Sequence, residues 1–248
     1  MYHTNHTKLI LEHLINDAFF ISAGSHHILL DAFCSERILP FSKMPENVMH
    51  DILEGTGRFS DVDIILGTHC HGDHFREDDL LECRLDATVI LPDDAFSGYS
   101  ERPWQKMICM SGSGVVWEDD EIRITGIQTV HDGDISTRKH FSYILQYKPA
   151  DKCLVINGDA QTQPGMYKEW LQDTKVNAVI INFVEPYQEK GRAFLRDLDP
   201  DIAIFCHLPV PEDDSTHMGK LSIRNSEKFK DELPPFVTCY APGTIIEI

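Results

Sequence analysis

One short stretch of this chain concentrates side chains able to do chemistry. Thr68-His69-Cys70-His71-Gly72-Asp73-His74 puts three imidazoles and one carboxylate within six residues, just after the apolar run Val62 to Leu66. Imidazole nitrogens and carboxylate oxygens are the ligands that zinc and related divalent ions take. In a loop that follows a strand, the alternate side chains of His69 and His71 can converge on one ion. A turn at Gly72 can then direct Asp73 and His74 toward a second. The plainer reading is a solvated polar loop, and the density of ligands at the end of a buried run weighs against it.

Further candidates stand where other apolar runs end. His131 closes the run from Ile122 to Val130, Asn157-Gly158-Asp159 closes Cys153 to Ile156, and His207 closes Ile202 to Phe205. Taken singly, a histidine of this kind is more often a satisfied structural residue. As an ordered set, the three fit two coordination shells. Asp31 also follows a strand-like run, where it can orient a ligand histidine or stabilise a turn.

The elements that must position these residues are legible as short runs. Ala18 to Ser22 and His27 to Asp31 read as an early hairpin about Gly24-Ser25. Strands are expected at Val62–Leu66, Thr88–Leu91, Glu121–Val130, Phe141–Tyr147, Cys153–Ile156, Ala178–Val184, Ile202–Phe205 and Thr244–Ile248. Helices are expected at Glu77–Asp86, Met166–Gln172, Gly191–Leu198 and Asn225–Glu232. Hairpins followed by strand–helix alternation suggest a layered α/β sandwich. With no repeat and no Pro/Gly/Ser-rich linker, residues 1–248 read as a single domain. The stretches 40–60 and 93–113 lack periodicity and read either as loops over the site or as ordinary surface loops.

His69-x-His71-x-Asp73-His74 resembles the HxHxDH signature of the metallo-β-lactamase superfamily, and His131, Asp159 and His207 match its later ligand positions in order. The resemblance runs from about Ala18 to the C-terminus and implies an α/β fold, a four-layer αββα sandwich with the site at one edge. It further implies one metal on His69, His71 and His131, another on Asp73, His74 and His207, and Asp159 bridging them. Within the superfamily the chain is most similar to the branch containing ascorbate-6-phosphate lactonase, through Ala18-Phe19-Phe20-Ile21, Ile28-Leu29-Leu30-Asp31, Asn157-Gly158-Asp159-Ala160 and Pro242-Gly243-Thr244. Thr244 departs from the acidic residue frequent at that position.

The resulting expectation is a hydrolase in which two divalent ions, zinc by ligand type with manganese or iron as alternatives, stand about 3.5–4 Å apart and lower the pKa of a shared water. Asp73 would orient that hydroxide and accept a proton. The leaving-group acid stays open. His140 and His217 are candidates, each read in the first place as a surface residue. Lys43, Arg102, Arg138 and Lys139 could receive an anionic group, and Phe96, Tyr99 and Trp104 could line a pocket. Solvated charge and core packing are the competing readings.

A net charge of −18, from 22 basic and 40 acidic residues, disfavours nucleic acid and anionic membranes as partners. With the stretches 40–60 and 93–113 restricting the mouth of the site, the expected substrate is a small, anionic ester or lactone, whose charge the metal ions and nearby basic residues would receive despite the acidic surface. Alternatives are a phosphodiesterase or nuclease of the same fold, a flavodiiron-type oxidoreductase, and a non-catalytic metal-binding interaction protein. The flavodiiron signature has glutamate where His71 stands. No basic stretch with a following apolar run opens the sequence, and no apolar run approaches the roughly 18 residues of a spanning helix.

The seven cysteines (34, 70, 83, 109, 153, 206 and 239) include no CxxC pair, which fits free thiols in a reducing cytosol better than a disulfide framework. Cys70 lies between two ligands, and alternation along extended backbone turns its thiol away from them. Alkylation under non-reducing conditions followed by mass spectrometry should label all seven cysteines; a disulfide would contradict the cytosolic reading.

Overall fold

A computed structural model describes residues 8–95, 105–133 and 138–248; Phe96, Tyr99, Arg102 and Trp104 lie outside them. The strands are β1 (Leu9–Ile15), β2 (Ala18–Ala23), β3 (His26–Leu30), β4 (Ile64–Leu66), β5 (Thr88–Pro92), β6 (Lys106–Met110), β7 (Gly114–Glu118), β8 (Ile122–Thr129), β9 (His140–Tyr147), β10 (Lys152–Ile156), β11 (Ala178–Asn182), β12 (Ile202–Cys206), β13 (Phe236–Thr238) and β14 (Ile245–Glu247). The helices are α1 (Glu46–Glu54), α2 (Glu77–Glu82), α3 (Lys168–Leu171), α4 (Glu189–Leu198) and α5 (Met218–Lys228). No helix among the described residues is long and apolar enough to cross a membrane.

The strands form two seven-stranded mixed sheets, ordered β14-β1-β2-β3-β4-β5-β6 and β13-β12-β11-β10-β9-β8-β7. Their central strands are apolar on both faces, as burial between two layers demands. In the first sheet Phe19, Ile21, Ile28, Leu30, Ile64 and Ile90 point to the second sheet, while Phe20, Leu29, Ile65 and Val89 point out to the layer of α1 and α2. In the second, Leu154, Ile156 and Ile204 point inward; Val155, Ala203 and Phe205 pack outward with Leu171 of α3 and Phe194 and Leu195 of α4. The period-2 alternation of each strand therefore feeds two cores at once, and the layer order is αββα.

Four strands escaped the sequence reading, each for a local reason. β1 carries a register shift between His13 and Ile15, which breaks the alternation midway. β6, β7 and β13 are edge strands with partly exposed patterns that mimic loops. The stretch 40–60, expected to be irregular, contains α1. Pro45 and Gly55 are the two ends of that helix, Gly55 with φ of 63° at the C-cap. The stretch 93–113 likewise contains β6. Helix α5 begins seven residues before the expected Asn225, because the Asp214 carboxylate accepts hydrogen bonds from Met218 N (2.8 Å) and Gly219 N (2.9 Å) and caps it there.

The two sheets are also tied by charge. His26, at the start of β3, lies 2.5 Å from Asp63 through Nδ1 and 2.8 Å from Asp119, in the β7–β8 turn, through Nε2. Its hydrogen bond to Asp63 raises the imidazole pKa above the usual value against the effect of burial, with the charges of Asp63, Asp119 and Glu121 adding to it. The stability this contributes is complete below pH 6.5 and is lost as pH rises through the raised folded-state value. His26→Gln should therefore cost about 1 kcal/mol at pH 6 and less at pH 9.5. Denaturant unfolding of both proteins at the two pH values tests this; an equal cost at both would refute it.

Candidate metal centre

The parallel and antiparallel pairings bring six chain segments to one edge of the sandwich. β1, β3 and β4 run in one direction in the first sheet, and β8, β10 and β12 run together in the second. Their C-terminal ends carry Asn16-Asp17, Asp31, the loop 68–74, His131, Asn157-Gly158-Asp159 and His207. Hydrogen bonds stitch these ends across the sheets. Phe141 N donates to Thr68 O (2.9 Å), Tyr143 Oη to Gly67 O (2.6 Å) and His207 N to Asn16 O (3.0 Å).

All seven residues expected from sequence meet there. His69, His71 and His131 form one compact group; Asp17, His74, Asp159 and His207 form a second, with donor atoms all within 4.8 Å of one another. Asp159 Oδ2 is central to both. It lies 3.9 Å from His69 Nε2, 3.5 Å from His131 Nε2 and 3.4 Å from both His74 Nε2 and His207 Nε2. Asp73 Oδ2 is 3.2 Å from His207 Nε2 and 3.8 Å from His74 Nε2. Asp17 was not expected. Its only sequence signal is the Asn-Asp pair ahead of an apolar run, which reads as an ordinary turn.

The supporting hydrogen bonds determine which ring nitrogen is available. Asp31 Oδ2 accepts from His74 Nδ1 (3.0 Å) and from Thr68 Oγ1 (2.7 Å), while Thr68 Oγ1 lies 2.9 Å from His69 Nδ1. Asp31 thus orients two imidazoles, one directly and one through a hydroxyl, and presents Nε2 of each inward. His131 Nδ1 donates to Asp132 O (2.9 Å), which also turns its Nε2 toward the group. The Asn182 amide nitrogen sits 2.9 Å from Asp159 Oδ1 and 2.8 Å from His207 Nδ1, spanning two candidate ligands, and Phe41 stacks on the His207 ring at 4.1 Å.

His140 is buried, not a surface residue. Asp159 N donates to its Nε2 (3.0 Å), leaving Nδ1 to donate to Thr129 Oγ1 (2.7 Å). Burial, with nearby imidazoles overriding the carboxylate of Asp159, depresses its pKa to about 3. Such a ring stays neutral and positions the Asp159 loop, so it is no acid for a leaving group. The same loop needs glycine at 158, where φ is 55° and a Cβ would stand 2.9 Å from His140 Nε2. His217 is exposed at the start of α5. Lys43 pairs with Glu46 and Lys139 with Asp93, whereas Arg138 Nη1 donates to Cys70 O (2.6 Å) beside the histidine loop. The cysteines of the described chain are all free, and Cys70 packs against the outer core of the first sheet.

Metal ions suit this arrangement. The buried Asp17 Oδ1, Asp17 Oδ2 and His131 Nε2 have no hydrogen-bond partner among the described residues. Two donors at zinc–nitrogen distances of about 2.0–2.1 Å stand roughly 3.3 Å apart at a tetrahedral angle, close to the spacings found here. Alongside lies a cavity of about 300 Å³ lined by His131, Asp159, Asn182, Glu185, Gln188 and His207. Glu185, unremarked in the sequence, is buried in it. Burial raises its pKa, although Thr162 Oγ1 donates to Oε2 at 2.5 Å.

No family model matches the chain, and no curated protein matches it. Solved structures do. Igni18, a metallo hydrolase from the archaeon Ignicoccus hospitalis, superposes with a TM-score of 0.64 at 14% identity, covering 98% of this chain and 99% of its own. The isothiocyanate hydrolase from Delia radicum gut bacteria gives 0.62 at 15% identity, over 96% and 98%. CmlA, a diiron β-hydroxylase from Streptomyces venezuelae, gives 0.67 at 15%, over 97% of this chain and 54% of its own. The fold is the metallo-β-lactamase αββα sandwich.

The electrostatics set a pH dependence. For His74, burial opposes protonation but Asp73, Asp159 and Asp31 outweigh it and hold the pKa well above the usual value. For His207 burial is likewise outweighed, by Asp159, Asp17 and Asp73, and the pKa rises to about 9. His69 is the reverse case. Burial and cationic neighbours keep it neutral, its pKa well below the usual value. A metal ion can bind His74 and His207 only after their protons leave. Affinity for a second equivalent of divalent ion should therefore rise between pH 6 and pH 8, by about tenfold per unit for each proton released. Competition against a chromophoric chelator measures this, and a flat profile would refute it.

Proposed function

We propose that this protein is a dinuclear metal-dependent hydrolase acting on a small, anionic ester or lactone. One observation carries the reading. Two compact ligand groups, one of three imidazoles and one mixed, share Asp159 Oδ2 at 3.4–3.9 Å from four imidazole nitrogens. Divalent ions bound to these groups supply Lewis acidity and make a nearby water acidic. His69, His71 and His131 would hold one ion, His74, His207 and Asp73 the other, with Asp159 between.

The chain's own residues do the rest. Asp73 Oδ2, beside His207, orients the attacking water and takes its proton. Asp31, Thr68 and Asn182 keep the ligands aimed. The adjoining cavity of about 300 Å³ accommodates a small molecule, with Asn182 and Gln188 as polar contacts. Arg138, beside the Cys70 carbonyl, supplies positive charge close to the histidine loop of an otherwise acidic protein. Of the described basic residues proposed from sequence, Lys43, Arg138 and Lys139, it is the one hydrogen-bonded to this loop.

The likeness to Igni18 and to the isothiocyanate hydrolase is consistent with hydrolysis, and the fold's use by a diiron β-hydroxylase shows that fold alone does not select the chemistry. The all-imidazole first group supports hydrolysis, since such ligation suits zinc, an ion without redox chemistry. The lactonase-like assignment rests on the segments Ala18–Ile21, Ile28–Asp31, Asn157–Ala160 and Pro242–Thr244, the first three of which belong to β2, β3 and the loop after β10. A cytosolic protein with free thiols fits this reading.

Protein reloaded with zinc or manganese should turn over members of a panel of small lactones, esters, thioesters and phosphodiesters. Asp73→Ala should lower kcat by about 10²–10⁴ with an unchanged melting temperature. KM should shift little with salt. Activity that survives Asp73→Ala, or efficient cleavage of long RNA with a steep salt dependence, would overturn the proposal.

A further inference from the structure

The two ligand groups are chemically unequal, and Asp17 is the reason. The first offers three imidazoles. On the Nε2 side of His74 and His207 stand three carboxylates, those of Asp17, Asp73 and Asp159, with Asp31 behind on His74 Nδ1. Asp17 is 3% exposed, its Oδ2 lies 3.8 Å from His74 Nε2, and neither of its oxygens has a hydrogen-bond partner among the described residues. The neighbouring Cys206 thiol donates to the Ile181 carbonyl at 3.5 Å and lies beside the Asp17 carboxylate. A buried carboxylate without strong donors is unfavourable unless a cation or a proton neutralises it.

Its placement is also rigid. Asn16 adopts φ of 45°, its carbonyl accepts from His207 N (3.0 Å), and its side-chain amide clasps Ser42 through Nδ2 to Ser42 O (2.8 Å) and Ser42 N to Oδ1 (3.1 Å). The turn that delivers Asp17 is thus locked to the strand end that delivers His207. Hydrogen bonding of this kind fixes a ligand in place.

We propose that Asp17 is a ligand of the second ion and makes that site carboxylate-rich, so that it tolerates a hard, six-coordinate ion such as Mn²⁺ while the imidazole site holds zinc. The proposal rests on the dinuclear reading above. Oxygen ligands suit manganese, and imidazoles suit zinc. Asp17 thereby sets a difference in selectivity between two sites that share one carboxylate.

The test uses full-length wild-type protein, Asp17→Asn and His71→Ala, each stripped of metal, given one equivalent of Zn²⁺ and titrated with Mn²⁺. Free Mn²⁺ is read by electron paramagnetic resonance, zinc by competition with a chelator, and folding by thermal melting of the stripped proteins. In the wild type one Mn²⁺ should bind per zinc-loaded chain. Asp17→Asn should weaken Mn²⁺ binding at least tenfold while leaving zinc affinity within about threefold, because it removes an anionic ligand at constant shape. His71→Ala should do the converse, weakening zinc. Unchanged Mn²⁺ affinity in Asp17→Asn, in a protein that still binds both ions, would overturn the role of Asp17 alone. A wild-type chain that binds neither ion would overturn the dinuclear reading with it.

Discussion

The structure depends on a carboxylate buried among imidazoles. Asp159 Oδ2 lies within 3.4–3.9 Å of nitrogens from His69, His74, His131 and His207, which arrive on three different loops. Burial opposes the charge on Asp159, and the cationic His207 and His74 reverse the effect, holding its pKa well below the usual carboxylate range. Charges of both signs are thus concentrated away from water, where each is costly alone and tolerable only together. Every other feature of the site serves to keep that group assembled.

The assembling is done by ordinary backbone groups. Phe141 N on Thr68 O, Tyr143 Oη on Gly67 O and His207 N on Asn16 O join the two sheets at their loop ends, so the loops cannot drift apart while the strands stay packed. Strain is admitted where it aims a side chain. Asn16, Asp31 and His207 all have φ between 45° and 66°, a region that asparagine, aspartate and histidine enter more readily than most residues. His140, neutral because it is buried, accepts the Asp159 amide and completes the set without carrying charge.

Much of the fold was legible because central strands are buried on both faces and so appear as compact apolar runs. The segments Cys153–Ile156 and Ile202–Phe205 stand close to the bounds of β10 and β12 for that reason. What escaped was whatever lacked two-sided burial or a clean phase: β1 with its register shift, the edge strands β6 and β7, and α1, whose Pro45 and Gly55 mark helix ends as readily as loops. A local pattern cannot tell those meanings apart, since both satisfy the same dihedral preferences.

The sequence by itself singled out His69, His71, Asp73, His74, His131, Asp159 and His207 as candidates, because ligand types stand at the ends of apolar runs and match in order the signature that they resemble. Only tertiary structure decided that Asp17 joins His74 and His207, that Asn182 spans Asp159 and His207, that Glu185 faces the adjoining cavity, and that His140 is buried. Nothing around these four residues announces them, since an Asn-Asp turn, a strand-end asparagine and a Glu-Pro turn occur on any surface. Their roles arise from what lies opposite, on the other sheet or at a distant strand end. That juxtaposition is set by how parallel strands stack their C-terminal ends along one edge, not by spacing along the chain.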